Sequence, residues 1–156
     1  MKQKQDKIYL TKEGFDKLKR ELDRLISVKR PEVIERISQA RQASSSPDNL
    51  ELDAATQEQS FIEGRISELT EILKQAQIIP QEKGQKKVVS LGSTVVVEVD
   101  GEKDEFTLVG SLEADPSKGL ISNESVVGKA LLGAKIGAEI TVASAVKTTY
   151  KILEIK

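Results

Sequence analysis

No cationic side chain occurs from Gln42 to Gly64, and that interval carries Asp48, Glu51, Asp53, Glu58 and Glu63. Its centre, Ser44-Ser45-Ser46-Pro47-Asp48-Asn49, has the composition of a turn. Carboxylates assist hydrolysis in two ways: they hold Mg²⁺, or they orient and deprotonate water. Asp48 and Glu51 are three residues apart and face alike where both are helical, with Asp53 farther round. Two or three exposed carboxylates make a weak Mg²⁺ site alone. They become ligands only where a partner supplies the rest. The plain alternative is a solvated acidic turn with a capping Asp.

Little else in the chain marks a reactive centre. Cysteine and histidine are both absent. Disulfides, thiol chemistry, histidine bases and nearly every structural zinc site are thereby removed. Gly110, Gly119, Gly128, Gly133 and Gly137 form no phosphate-cradling motif. Serines and threonines have no histidine to activate them, and nothing singles out a Ser–Lys pair.

The elements that must position the acidic turn are helical. Thr11 can cap a helix starting at Lys12, with Leu10 packing back on its first turns. Phe15, Leu18, Leu22 and Leu25 follow at steps of three, four and three, and Val33, Ile37 and Ala40 continue the seam to about Ala43. Pro31 interrupts this run and predicts either a kink or a break between two helices. A second run starts near Leu50, capped by Asp48 or Asn49. Its seam is Ile62, Ile66, Leu69, Leu73 and Ala76, with Phe61 and Ile72 widening the apolar stripe. Neither helix buries its seam alone, so the short connection predicts an antiparallel hairpin. An arm of that kind is a rod about 40–50 Å long at 1.5 Å per residue. The same seams also allow dimerisation.

Residues 77–87, with Pro80 and Gly84, read as a linker. Beyond it, Val88-Val89, Thr94 to Val99, Glu105 to Val109, Ile140 to Val142 and Thr148 to Ile155 have strand character. Asp100-Gly101 is a hairpin-turn signal. Ser125 to Leu132 reads as one short helix that Gly128 interrupts and Gly133 ends. The predicted organisation is a hairpin over 1–76 with its tip near 43–53, a linker over 77–87 and an α+β domain over 88–156.

Charge is unevenly placed. The 156 residues sum to −1, yet residues 1–41 hold twelve Lys/Arg against seven Asp/Glu. The whole molecule therefore exerts no bulk pull on DNA or membrane. The basic first arm suits a phosphate backbone or an acidic protein surface, and equally suits ordinary helix solvation. No helix-turn-helix pattern is evident, so direct DNA binding is secondary. The absence of a signal-peptide pattern or a membrane-length apolar run makes a cytoplasmic location the expectation.

Specific local patterns carry a resemblance. They are Lys29-Arg30-Pro31-Glu32-Val33, Ile37, Ala40-Arg41, Ala54-Ala55, Glu58-Gln59, Phe61 and Glu63-Gly64-Arg65-Ile66. In the second domain they are Glu113-Ala114-Asp115, Leu120-Ile121-Ser122-Asn123, Ser125 and Gly128-Lys129-Ala130-Leu131-Leu132-Gly133. Over almost its whole length the chain resembles the GreA/GreB family of bacterial transcript cleavage factors. That resemblance implies a hairpin that enters the secondary channel of RNA polymerase. It also implies a globular domain, similar to the FK506-binding protein fold, that docks near the channel mouth. The tip then helps the polymerase's own Mg²⁺ centre cut backtracked nascent RNA. The protein would be an accessory factor, not an enzyme, and a monomer without membrane attachment. Prolyl isomerase activity is disfavoured, because the second domain offers only Phe106 and Tyr150 as aromatics and no Trp.

The tip departs from the family's motif, which is close to Gly-Asp-Leu-x-Glu-Asn-x-Glu-Tyr. Ser44 stands at the Gly position and Ser45 at the first catalytic Asp. Ser46 replaces Leu, and Pro47 fills the variable position. Asp48 stands where the second catalytic acid, a Glu, is expected, and Leu52 replaces Tyr. Asn49 and Glu51 match. The resemblance thus implies Asp48 and Glu51 as the acidic groups, with Asp48 sharing the polymerase's metal. It implies Arg36, Arg41, Asn49, Asp115, Ser122 and Ser125 as partner contacts. Weak stimulation of cleavage is the expectation, and the alternative is a channel-binding paralogue that regulates or inhibits transcription without cutting.

Overall fold

The computed structural model describes residues 7–43, 49–80, 84, 86–143 and 146–156. They fall into two compact units: Phe15–Gln75, and the described residues up to Gly14 together with Ala76–Lys156.

The first unit is a helical hairpin. Helix α1 (Lys12–Arg24) runs into a π-helical turn (Leu25–Lys29) and then α2 (Arg30–Ala43). The chain returns as α3 (Leu50–Gln75). Pro31 therefore neither breaks the arm nor leaves it regular. Its ring nitrogen has no hydrogen to give, and the widened turn absorbs the mismatch. Arg30 N–H reaches five residues back to the Leu25 carbonyl. Val33, Ile37, Ala55, Ile62 and Ile66 are buried together, with Leu22, Leu25 and Leu52 packed against them. Burying each large aliphatic side chain contributes about 1.5–3 kcal/mol, which holds two helices that are marginal alone. Phe61 corrects the expected stripe: it is 74% exposed and lies outside this core.

Ion pairs fix the antiparallel register of the two arms. Arg30 grips Glu63 through both edges, Nε to Oε1 at 2.6 Å and Nη2 to Oε2 at 2.5 Å. Arg65 Nε donates to Glu21 at 2.7 Å. Arg36 bridges Glu51 and Glu58.

The second unit holds two sheets. Strands β1 (Ile8–Leu10) and β2 (Ala76–Ile78) pair in parallel, and Ile79 N–H extends the contact to the Leu10 carbonyl at 2.8 Å. Chain expected to be seam end and linker is thus partly strand, and Ile79 is buried. The larger sheet comprises β3 (Thr94–Val99), β4 (Glu102–Val109), β5 (Leu120–Ser122), β6 (Glu139–Ala143) and β7 (Lys147–Ile155). Its order is β5-β4-β3-β7-β6, antiparallel except for the β4–β5 pair. Asp100 (φ 50°) and Gly101 (φ 83°) make the two-residue turn between β3 and β4. Positive φ at both positions is the primed geometry that matches strand twist. Helix α4 (Val126–Leu131) places Leu131 in a core with Val89, Val95, Val97, Leu108, Ile152 and Ile155. Ile152 and Ile155 are three apart and on a regular strand would face opposite ways. A bulge opposite Val96/Val97 restores both to the core, because Val95 pairs with Ile155 and Val97 with Ile152. The fold is therefore long helices in a hairpin plus a mixed α/β domain.

Candidate functional site

The hairpin turn is bounded by Ala43 and Asn49; Ser45 and Asp48 lie outside the described residues. Asn49 does two jobs at this boundary. Its Oδ1 accepts from Leu52 N–H at 3.1 Å, capping α3. Its Nδ2 donates to the Ala40 carbonyl at 2.8 Å, tying the end of α2 to the start of α3. Of the two caps open from the sequence, Asn49 is the one seen.

Glu51 sits in the first turn of α3. It is not a free carboxylate, for Arg36 Nη2 donates to its Oε1 at 3.0 Å while the same guanidinium holds Glu58. The carboxylates hold the Arg36 proton more firmly than usual, Glu51 first and Glu58 second. Arg36 and Glu51, expected as a partner contact and an acidic group, are thus each other's partners. Asp53 is exposed. Among the described residues no group of three or more His, Cys, Asp or Glu is placed to hold a metal ion.

Arg41 is exposed in the last turn of α2. It lines an open groove of about 380 Å³ with Ile34, Ile37, Ser38, Gln42 and Gln59. A guanidinium, two amides and an apolar floor at one place suit a planar or phosphorylated group.

In the second unit, the expected contact residues build local structure around β5. Asp115 caps a 3₁₀ turn (Pro116–Lys118), accepting from Ser117 Oγ at 2.5 Å and Ser117 N–H at 3.2 Å, and pairs with Lys118 at 2.9 Å. The Ser117 hydrogen bonds, then Lys118, hold its carboxyl below the usual range. Ser122 Oγ accepts from Glu124 N–H at 3.1 Å. Ser125 donates to the Ser122 carbonyl at 2.7 Å and caps α4 by accepting from Gly128 N–H at 3.0 Å. Ser122 and Ser125 are therefore brought together, on the loop that carries α4 away from β5. Gly128 does not interrupt α4; a β-carbon there would strike the Ser122 carbonyl, so the glycine permits a close approach.

Sequence reasoning gave no role to Glu113. Its carboxylate accepts from Thr11 N–H at 2.6 Å and Thr11 Oγ1 at 2.5 Å, and it packs where a side chain on Gly14 would lie. Thr11 in turn caps α1 through Gly14 N–H at 3.0 Å. No local signal foretells a partner 102 residues away.

A capped helical hairpin and a five-stranded α/β domain divide the chain into two parts, and two family models match it in two corresponding parts. Residues 8–78 match the family model described as transcription elongation factor, N-terminal, and residues 84–156 match that of transcription elongation factor, GreA/GreB, C-term. The chain belongs to the GreA/GreB family. It is 51% identical over 154 residues to the transcription elongation factor GreA of Acetivibrio thermocellus, covering 96% of each chain. It is 47% identical over 141 residues to GreA of Bacillus subtilis, covering 88% of this chain and 89% of that one. Among solved structures, GreA factor homolog 1 (Gfh1) of Thermus thermophilus is 31% identical, covering 96% of this chain and 99% of that one with a TM-score of 0.45. No helix of the described residues is long and apolar enough to cross a membrane.

Proposed function

We propose that this chain is a cytoplasmic accessory factor that inserts its hairpin into the secondary channel of RNA polymerase and regulates transcription with little or no stimulation of RNA cleavage. One observation carries the second half of that reading. Ser45 replaces the first tip acid, and of the two acidic groups that remain, Glu51 is already bound by Arg36. A serine hydroxyl is neutral at pH 7 and a far weaker Mg²⁺ ligand than a carboxylate. Arg36 occupies Oε1 of that carboxylate and leaves Oε2 open, so Glu51 offers one oxygen to water or metal with a positive charge beside it. Mg²⁺ would be held by the polymerase, with Asp48 sharing it at most.

Docking draws on other residues. The second unit, similar to the FK506-binding protein fold, would dock at the channel mouth through the β5 region that carries Asp115, Ser122 and Ser125. Arg41, exposed on its groove, would face backtracked nascent RNA as part of a monomeric factor. Family membership supports this half of the proposal.

A second reading, weak stimulation of cleavage, is favoured by the retention of Asn49 and Glu51 at their motif positions. One preparation of purified, backtracked polymerase separates the two. Expected is displacement of a cleavage-competent GreA by this chain, with RNA cleavage remaining near the factor-free rate. Strong stimulation would overturn the regulatory reading, and failure to displace GreA would overturn channel binding.

A further inference from the structure

Both arms of the hairpin are weakened at one level. On the first arm lies the π-turn Leu25–Lys29, followed by Pro31. Pro31 cannot donate to the Ser27 carbonyl, so the helical ladder lacks a bond there. Ser27 Oγ bonds back along its own arm, donating to the Asp23 carbonyl at 2.6 Å. Across from this turn, α3 contains Gly64. A β-carbon on Gly64 would meet nothing within 4 Å, and its φ is not positive. Neither packing nor backbone conformation calls for glycine there. Its effect is to loosen the helix.

The cross-arm ion pairs put these two places side by side. Arg30 holds Glu63, and Glu21 holds Arg65, so Gly64 lies between two ties that reach to either side of the π-turn. The core also changes at this level. Helix α2 buries Val33, Ile37 and Ala40, whereas α1 and the π-turn bury no residue. On α3 burial continues past this level through Ile66 and Leu69, so the change in packing belongs to the first arm, at the level where both backbones are weakest.

We propose that residues 25–31 and Gly64 form a composite hinge at which the tip-bearing half of the hairpin bends relative to its other half. The bidentate Arg30–Glu63 pair is the strap that stays closed during the motion. A π-turn on its own needs no motion to accommodate Pro31. The unrequired glycine opposite it is what points to bending. The inference stands on the hairpin alone and is independent of any role at the polymerase.

Nitrogen-15 relaxation dispersion on the full chain tests it, since collective hinge motion occurs on the μs–ms scale that this method reads. Expected are exchange contributions at the amides of Leu25–Arg30 and Glu63–Glu68 that share one rate, with flat profiles at Ile34–Ala40 and Ala55–Gln59. Gly64→Ala fits the open space and keeps the fold. It lowers the bent population by a factor of about 2–5, the ratio expected for replacing a helical glycine by alanine. Pro31→Ala restores a donor to Ser27 and quenches exchange on the first arm. Flat profiles throughout the wild-type hairpin would overturn the hinge. So would exchange spread evenly along both arms, or exchange unchanged in both variants.

Discussion

Asn49 carries more of the tip than its size suggests. It caps α3 and bonds the last turns of α2 at once. Asn49→Ala removes the cap and leaves the Ala40 carbonyl short of a donor, so the hairpin should lose about 1–2 kcal/mol, read as a lower urea midpoint. The sequence left Asp48 and Asn49 equal here, because both are good capping types and helix starts are legible only to within a residue or two. At Asp115 the consequence concerns pH. Its folded-state pKa is depressed by Ser117 and Lys118. The linked stability is therefore present above the ordinary carboxyl pKa of about 3.9 and lost as pH falls through the lower folded value. Carboxyl chemical shifts should show Asp115 titrating below that ordinary value. Ser117→Ala should move the midpoint upward, and an unmoved midpoint would remove Ser117 as the cause.

At the scale of elements, the two buried-face patterns were readable and the places where the backbone departs from them were not. Strand β3 was visible at both ends, since alternation and the Asp100-Gly101 turn agree. The bulge in β7 was hidden, because Ile152 and Ile155 look out of phase until the partner strand is known. Phe61 was assigned to the apolar stripe from spacing alone, yet it projects on the outer side of α3. Strand β1 is three residues long, and its partner β2 lies beyond the whole hairpin. Glycines separate by the same logic. Gly64→Ala should raise stability by about 0.5–1 kcal/mol, because nothing surrounds the added methyl. Gly128→Ala should lower it by about 1–3 kcal/mol, because the methyl meets the Ser122 backbone carbonyl. Thermal melts of the two variants should thus move in opposite directions. Matching shifts would mean that α4 can slide off β5 at little cost.

For the whole molecule the question, under the proposed role, is what would limit chemistry if the hairpin reached a metal centre of the polymerase. The formal charge of −1 gives no general attraction to the polymerase. Recognition then rests on local surfaces, which Ser45 does not disturb by its type. The loss at Ser45 was plain in the sequence, since it needs only a motif position. The capture of Glu51 was not, since Arg36 lies 15 residues away across the turn. Two variants apportion these causes. Ser45→Asp restores the missing acid and should raise stimulated RNA cleavage by at least about tenfold, equivalent to about 1.4 kcal/mol of barrier, while displacement of a competing GreA stays unchanged. Arg36→Ala alone frees Glu51 but supplies no first acid, so its gain should stay well below that of Ser45→Asp. Combined, the two should exceed either one, because they act on different groups of one site. If Ser45→Asp gives no gain while displacement is intact, the geometry of the turn and not its charge is what would limit cleavage under the proposed reading.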